Sequence, residues 1–389
     1  MLNILLIVGY ADDIFIFNYA KWLKKQVEDI SIDVFEVYQS TQQGYDNRFY
    51  NCVTSAEGCV LPVPRGKSVV DAIARGRSLY RYLRGKHYDI IHSHWVVAPV
   101  VLQNNMKKYC EKFVLTFWGG EFIEQRVLGS SRLYRYLLNC LSKNVDCIIN
   151  SSEGKQELLN KLPYFKGTYK CGYLGSAPLE ALFDLLSTES KSESKKKWGM
   201  PEDKLTVMIG YSGKPLHRHI AIIKALRGYP ELIKKIHLIV SMTRGATNDY
   251  IDRVENEMKR LGCSYTLFRG RFLSDIEMAR IRNATDVVFQ LSEWDGFSRS
   301  IVECLCAKSI MIYGDWLDYK KHMETYGFEG LVVPSIDAGV SKLAEVISNP
   351  SIYTGMLEKN CKCGRNKALW SECIKDWIFA YYSLLGRNN

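Results

Sequence analysis

The stretch Val287–Trp316, VVFQLSEWDGFSRSIVECLCAKSIMIYGDW, narrows the choice of fold more than any other part of the chain. Its apolar run Val287–Leu291 ends in a polar turn containing Gly296. Ser298-Arg299-Ser300 then opens a segment with Ile301, Val302, Leu305 and Cys306 at helical spacing, and Ser309–Tyr313 reads as a second strand. Two carboxylates bracket the turn: Asp295 lies within it and Glu303 sits eight positions later in the helix. A helix that begins near Ser298 points its first free N–H groups and positive dipole end into the turn, which suits a phosphate or another anion. The carboxylates can then accept hydrogen bonds from hydroxyls on either side of that anion. The plainer alternative is an ordinary strand-to-helix connection, with Asp295 as a turn residue and Glu303 favouring the helix dipole.

The same alternation runs through the rest of the chain. In the first half, strands are expected at Ile4–Val8, Ile32–Val37, Tyr88–His92, Phe113–Phe117 and Cys147–Asn150, with helices at about 14–28, 69–83, 96–110 and 133–141 between them. Such a pattern makes a parallel sheet covered on both faces, and ligands bind at the carboxyl ends of its strands. The residues at those ends are Gly9-Tyr10, His92-Ser93-His94-Trp95, Trp118-Gly119-Gly120-Glu121 and Ser151-Ser152-Glu153, so Tyr10, His94 and Glu121 are candidates for one rim. Single loop histidines are commonly structural, whereas four polar or glycine-bearing turns together favour a site.

From about Cys171 the pattern weakens, and Ser187–Lys197, STESKSESKKK, reads as a linker or an exposed helix start. A second alternating series follows, with strands at Leu205–Ile209, Ile236–Val240, Tyr265–Phe268 and Asp286–Gln290 and helices at His217–Leu226, Tyr250–Leu261 and Ile276–Arg282. After its first strand comes Gly210-Tyr211-Ser212-Gly213-Lys214-Pro215. Glycines there free backbone N–H groups to face an anion, and Lys214 and Arg218 add charge, although the spacing is not that of a Walker loop. A solvated basic loop is the alternative.

At 389 residues the chain exceeds one typical core and implies two domains. No apolar run reaches membrane-span length, and no basic leader precedes Ile4, so a soluble cytoplasmic protein is expected. Twelve cysteines are scattered, many inside apolar runs, and none has zinc-site spacing; reduced thiols and no metal are expected. The net charge of +10 is densest between Arg65 and Lys86, where Arg65, Lys67, Arg75, Arg77, Arg81, Arg84 and Lys86 oppose only Asp71. Arg77, Arg81 and Arg84 share a helix face, with Val70, Ile73, Leu79 and Leu83 available to pack inward. No nucleic-acid-binding pattern is present, which leaves an anionic membrane surface, a lipid-phosphate acceptor or plain solvent opposite that face.

The Asp295–Glu303 stretch resembles the signature of the retaining glycosyltransferases of family 4, in which an acid, Gly-Phe-Gly and a second acid eight positions after the first hold a sugar nucleotide. Asp-Gly-Phe-Ser stands here where that family usually has Glu-Gly-Phe-Gly. Lys197–Arg218 resembles the start of the family's donor-binding domain, with Lys214 and Arg218 four apart where an Arg and a Lys commonly stand five apart. Phe268–Arg282, FRGRFLSDIEMARIR, resembles its Gly-containing turn and helix beside the nucleotide base. Thr116–Glu121 resembles its Thr-x-His-Gly-x-Asp, with Trp118 replacing the histidine and Glu121 the aspartate, so that histidine's contact to the donor sugar does not carry over. The double-glycine turn after the first strand is missing at Gly9-Tyr10.

The resemblance implies an α/β protein of two facing, doubly wound Rossmann-like domains with a cleft between them, the arrangement called GT-B. Residues 1–170 would bind the acceptor, 171–203 would link, 204–369 would bind the sugar nucleotide, and a C-terminal helix in 370–389 would cross back to the first domain. The implied reaction moves a sugar from a nucleotide-sugar to a saccharide acceptor, plausibly lipid-linked as in bacterial surface-polysaccharide synthesis, with retained anomeric configuration. Ser212, Gly213, Lys214, Arg218, Asp295, Phe297, Ser298, Arg299 and Glu303 would hold the donor, with Asp295 on the sugar hydroxyls and Glu303 on the ribose. No cofactor or metal, and no nucleic acid, is implied. A GT-B-like epimerase or phosphorylase, or a basic binding protein that keeps the fold without catalysis, are the competing classes.

Overall fold

The computed structural model describes residues 1–39, 48–57, 69–96, 98–103, 105–118, 132–152, 154–271 and 273–387. Arg65, Lys67, Glu153 and the turn 119–121, with its candidate Glu121, lie outside the described residues. The chain divides into two compact units: Met1–Leu174 together with Trp370–Asn389, and Gly175–Leu369.

The first unit is built on β1 (Leu2–Val8), β2 (Ile30–Glu36), β3 (Cys52–Ser55), β4 (Tyr88–His94), β5 (Cys110–Thr116), β6 (Cys147–Asn150) and β7 (Thr168–Cys171). They form one sheet in the order β3-β2-β1-β4-β5-β6-β7, with every pairing parallel. Because side chains alternate along a strand, β1 serves two cores. Leu5 and Ile7 join Leu79, Leu83, Leu138 and Leu141 on one face. Leu2, Ile4, Leu6 and Val8 join Tyr19, Leu23, Trp370, Ile374 and Trp377 on the other. The helix Trp370–Leu385 is therefore part of the first unit's covering layer. Burial on both faces explains why β1 is a continuous apolar run rather than an alternating one.

The second unit contains β8 (Leu205–Ile209), β9 (Ile236–Met242), β10 (Ser264–Arg269), β11 (Val287–Gln290), β12 (Ile310–Gly314) and β13 (Leu331–Val333), in the order β10-β9-β8-β11-β12-β13 and again all parallel. Each sheet thus reverses its winding between its first and fourth strands, at β1/β4 and at β8/β11. In doubly wound sheets that reversal opens a crevice at the carboxyl ends of the two strands, where ligands bind.

Several local expectations change. The run read as a linker carries two helices, Ala177–Leu186 and Lys191–Lys197, both within the second unit. Ser190 and Glu193 form a capping box at the start of the latter, and Lys195 reaches the Asp286 carboxylate at 2.6 Å, so the charged residues anchor the helix. The helix expected over 96–110 is reduced to Ala98–Val101 and a 3-10 turn at Met106–Lys108. Gln103 turns away there to donate to the Gly76 carbonyl at 2.7 Å. The helix expected from His217 starts at His219, because Arg218 adopts φ 56° and separates it from a 3-10 turn at Pro215–His217. Finally, Val70 and Ile73 do not pack inward with Leu79 and Leu83; they face solvent, since the inward positions beside them are taken by Ala72 and by Arg75, which is buried against Asp71 at 2.8 Å.

Candidate functional site

The loops after β8 and β11 meet at the reversal point of the second sheet. After β11 the chain reaches Asp295, then Phe297 at φ 61°, then Ser298 as N-cap of the helix Arg299–Cys306. The strained Phe297 backbone is held from the side-chain end: its ring lies edge-on to Tyr319 at 4.9 Å and flat on His322 at 5.0 Å. Asp295 accepts three hydrogen bonds, from the Tyr211 hydroxyl, the Tyr319 hydroxyl and the Ser298 N–H at 3.1 Å. A carboxylate offers about four lone-pair sites, which leaves one for a ligand hydroxyl. Burial and the neighbouring Asp295 charge raise the pKa of both tyrosines, so their hydroxyls stay protonated as donors. Gln290 Nε2 fixes Tyr319 further by donating to its oxygen at 2.8 Å.

The loop after β8 brings Ser212, Gly213, Lys214 and Arg218 to the same edge. Gly213 donates its N–H to the Arg244 carbonyl at 2.9 Å, and a Cβ there would lie 2.5 Å from Ala246 Cβ, so only glycine allows the loops after β8 and β9 to close on each other. Lys214 is exposed and, among the described residues, has no ion-pair partner. Arg218 lies over the Trp316 ring at 5.4 Å, with its Nε 3.9 Å from Glu293. Ser212 is buried with its Oγ 2.9 Å from His217 Nε2, and burial pushes that imidazole down to about 4, so it is neutral at pH 7.

Two candidates occupy other surroundings. Glu303 is only 4% exposed; one oxygen accepts from Arg282 Nε at 2.9 Å and the other from the Ser176 hydroxyl. Arg282, 1% exposed, has no other charged partner in its printed contacts, so the pair is a buried charge unit inside the second core. Arg299 donates to the Tyr326 hydroxyl at 2.6 Å and stacks over that ring, away from Asp295. Sequence reading missed Tyr211, Tyr319, Arg244 and Arg282. Tyr211 lay inside the loop already singled out; nothing in the spacing of the other three links them to it.

The first unit presents a different site at its own reversal point. Gly9, Tyr10, Asp13, Phe15, Ile16, His94, Trp95 and Trp118 line a cavity of about 260 Å³. Trp95 takes φ 73° and lays its ring against Gly9, where a Cβ would come within 2.9 Å of it. His94 is 1% exposed, neither ring nitrogen has a partner, and burial holds it down at about 3. Its neutral ring therefore offers one donor and one acceptor. Beneath it runs a directed chain. Thr116 Oγ1 donates to the Ile149 carbonyl at 2.8 Å, so it must accept from His92 Nε2, also at 2.8 Å. His92 Nδ1 consequently accepts from Tyr381 at 2.5 Å, and Tyr381 accepts from Tyr19. The chain fixes the tautomer of His92 and ties β4 to the C-terminal helix.

Among the described residues no group of three His, Cys, Asp or Glu is placed to hold a metal ion, and no helix is long and apolar enough to cross a membrane. Residues 4–152 match the family model described as glycosyl transferase 4-like. No curated protein matches the sequence. Solved structures do match over essentially the whole chain. Sucrose-phosphate synthase from Thermosynechococcus elongatus has a TM-score of 0.72 at 14% identity, covering 99% of this chain and 100% of that one. HepE from Anabaena, in complex with UDP and glucose, has a TM-score of 0.67 at 14% identity, with coverage of 98% and 100%. WaaG, a glycosyltransferase involved in lipopolysaccharide biosynthesis, has a TM-score of 0.64 at 11% identity, with coverage of 99% and 100%. Two Rossmann-like units with this strand order, and a glycosyl transferase 4-like match across the first, make the protein a glycosyltransferase of the GT-B type.

Proposed function

We propose that the second unit binds a nucleotide-sugar and the first an acceptor saccharide, and that the sugar is transferred with its anomeric configuration retained. The observation that carries this reading is Asp295, held by two tyrosines with a lone pair to spare, at the same sheet reversal as Lys214 and Arg218. As the anomeric C–O bond to the diphosphate breaks, negative charge grows on the leaving oxygens. Lys214, Arg218 and the helix start at Ser298 supply a positive field for that charge without calling on a metal ion. Asp295 takes a sugar hydroxyl through its remaining acceptor site. Glu303 takes the ribose through the oxygen where the Ser176 hydroxyl now sits as a stand-in for a ligand hydroxyl. Arg299, committed to Tyr326, acts on the donor only by bracing the turn.

HepE's complex with UDP and glucose favours a uridine nucleotide as the donor class to try first. The acceptor ring enters the cavity beside Tyr10 and His94, whose volume lies below the roughly 300–1,000 Å³ of drug-sized sites and suits a single ring. WaaG's role in lipopolysaccharide biosynthesis supports an acceptor carried on lipid at the cytoplasmic face of a membrane. A thermal-shift screen of sugar nucleotides tests the donor half, because a ligand that binds only the folded state raises the melting temperature. A uridine diphosphate sugar that stabilises wild type but not Lys214→Ala is the expected outcome; no stabilisation by any sugar nucleotide would refute the reading.

A further inference from the structure

The helix Val69–Leu83 exposes side chains that a purely solvated face does not need. Val70 is 57% exposed, Ile73 41% and Tyr80 47%, and Arg77, Arg81 and, in the following turn, Arg84 are exposed as well. At about 100° per residue these six fall within an arc of roughly 100°. Tyr80 and Ile73 form one margin, Arg84 and Arg77 the middle, and Val70 with Arg81 the other margin. Leu102, 38% exposed, extends the apolar margin: Gln103 is bonded to the Gly76 carbonyl at 2.7 Å, and a Cβ on Gly76 would lie 3.7 Å from Leu102 Cδ1. The helix's own acid, Asp71, is buried against Arg75, and the neighbouring Glu57 reaches only Arg81.

We propose that this face docks the first unit on an anionic lipid bilayer. Ile73, Tyr80, Leu102 and Val70 enter the interfacial layer while Arg77, Arg81 and Arg84 meet lipid phosphates. Apolar groups of this size beside arginines match the chemistry of a helix lying in the plane of a membrane interface, which takes up both kinds of group at once. A protein partner would need an acidic surface and an apolar seam in the same narrow arc. The proposal rests on the reading that the acceptor is lipid-linked; it adds the surface that brings the enzyme to it, and it differs from electrostatic adsorption in requiring apolar insertion.

Co-sedimentation of the full chain with phosphatidylcholine vesicles, with and without phosphatidylglycerol, tests it. Binding should require phosphatidylglycerol, weaken with salt, and fall at least tenfold when Arg77, Arg81 and Arg84 are changed to Glu. An Ile73→Ser, Leu102→Ser variant should fall by a similar factor while keeping its melting temperature, since both residues are exposed. In a Tyr80→Trp variant, brominated acyl chains should quench the added emission. Absence of sedimentation at low salt, indifference to both sets of changes, or emission that brominated chains leave untouched would overturn the proposal. Nucleotide-sugar binding, measured on the same preparations, separates the two ideas: its retention alongside failed vesicle binding removes the docking face alone, and its loss alongside intact vesicle binding removes the glycosyltransferase reading alone.

Discussion

The two units place their sites at the same topological position and furnish them oppositely. At β1/β4 the walls are Tyr10, Phe15, Trp95 and Trp118 around an uncharged His94. At β8/β11 they are Asp295, Lys214 and Arg218, with the tyrosines turned inward to serve the carboxylate. The supporting interiors differ in the same sense. His92 is held by a chain of neutral hydroxyls, whereas Glu303 is held by a buried guanidinium. Sheet winding therefore decides where a ligand can sit, and a handful of loop residues decides whether the place welcomes a neutral ring or a diphosphate.

That contrast can be broken most forcefully at Glu303. Glu303→Gln leaves Arg282 buried without a counter-charge, and removal of one member of a buried pair costs about 3–5 kcal/mol. The urea midpoint should drop accordingly; an unchanged midpoint would mean that the second unit does not depend on its internal charges. Next, Lys214→Ala should weaken nucleoside-diphosphate binding by roughly tenfold or more, from a lost charge-assisted hydrogen bond of about 1.5–3 kcal/mol, while leaving the melting temperature in place. Calorimetric titration with uridine diphosphate reads this directly. In the first unit, Tyr381→Phe strands His92 Nδ1 without its donor and should cost about 1–3 kcal/mol with no effect on nucleotide affinity. A loss of nucleotide affinity in that variant would erase the distinction between the two interiors.

The smallest expected effect is shared by both. His94, His217, His219 and His237 are all held below the ordinary histidine value, at about 3, 4, 3 and 4, by burial. Because the folded values are depressed, the unfolded chain binds more protons below about pH 6.5. Their contribution to stability is complete above that pH and is lost as the pH falls from 6.5 towards 4, by up to about 1.4 kcal/mol per pH unit for each group that titrates fully in the unfolded chain. Denaturant midpoints measured at pH 7.5, 6 and 5 should decline in that order, and a flat series would contradict the burial of these rings.

Much of this architecture was legible in the sequence because buried parallel strands leave a plain mark. Cys147–Asn150 and Leu205–Ile209 coincide with β6 and β8 residue for residue, and the Ser298 helix start stands where its spacing placed it. Short edge strands left no such mark: Cys52–Ser55, Thr168–Cys171 and Leu331–Val333 are only partly buried, so their residues need not be apolar. The capping box at Ser190 was readable, yet the surrounding lysines masked it. Within the site, Asp295 and Lys214 could be found from their turns, whereas Tyr319 and Arg282 could not. Their partners lie 24 and 21 positions away, and only the folded sheet brings them into range.

The hydroxyl contact between Tyr19 and Tyr381 spans 362 positions of the chain. During synthesis the ribosome must therefore make all of Gly175–Leu369 before the helix that covers Ile4, Tyr19 and Leu23 emerges. The nascent amino-terminal sheet waits with one apolar face open while the later unit acquires everything it needs and can fold first. The order of birth and the order of completion are thus reversed, and a chaperone that attends this protein on the ribosome should be found on the older half.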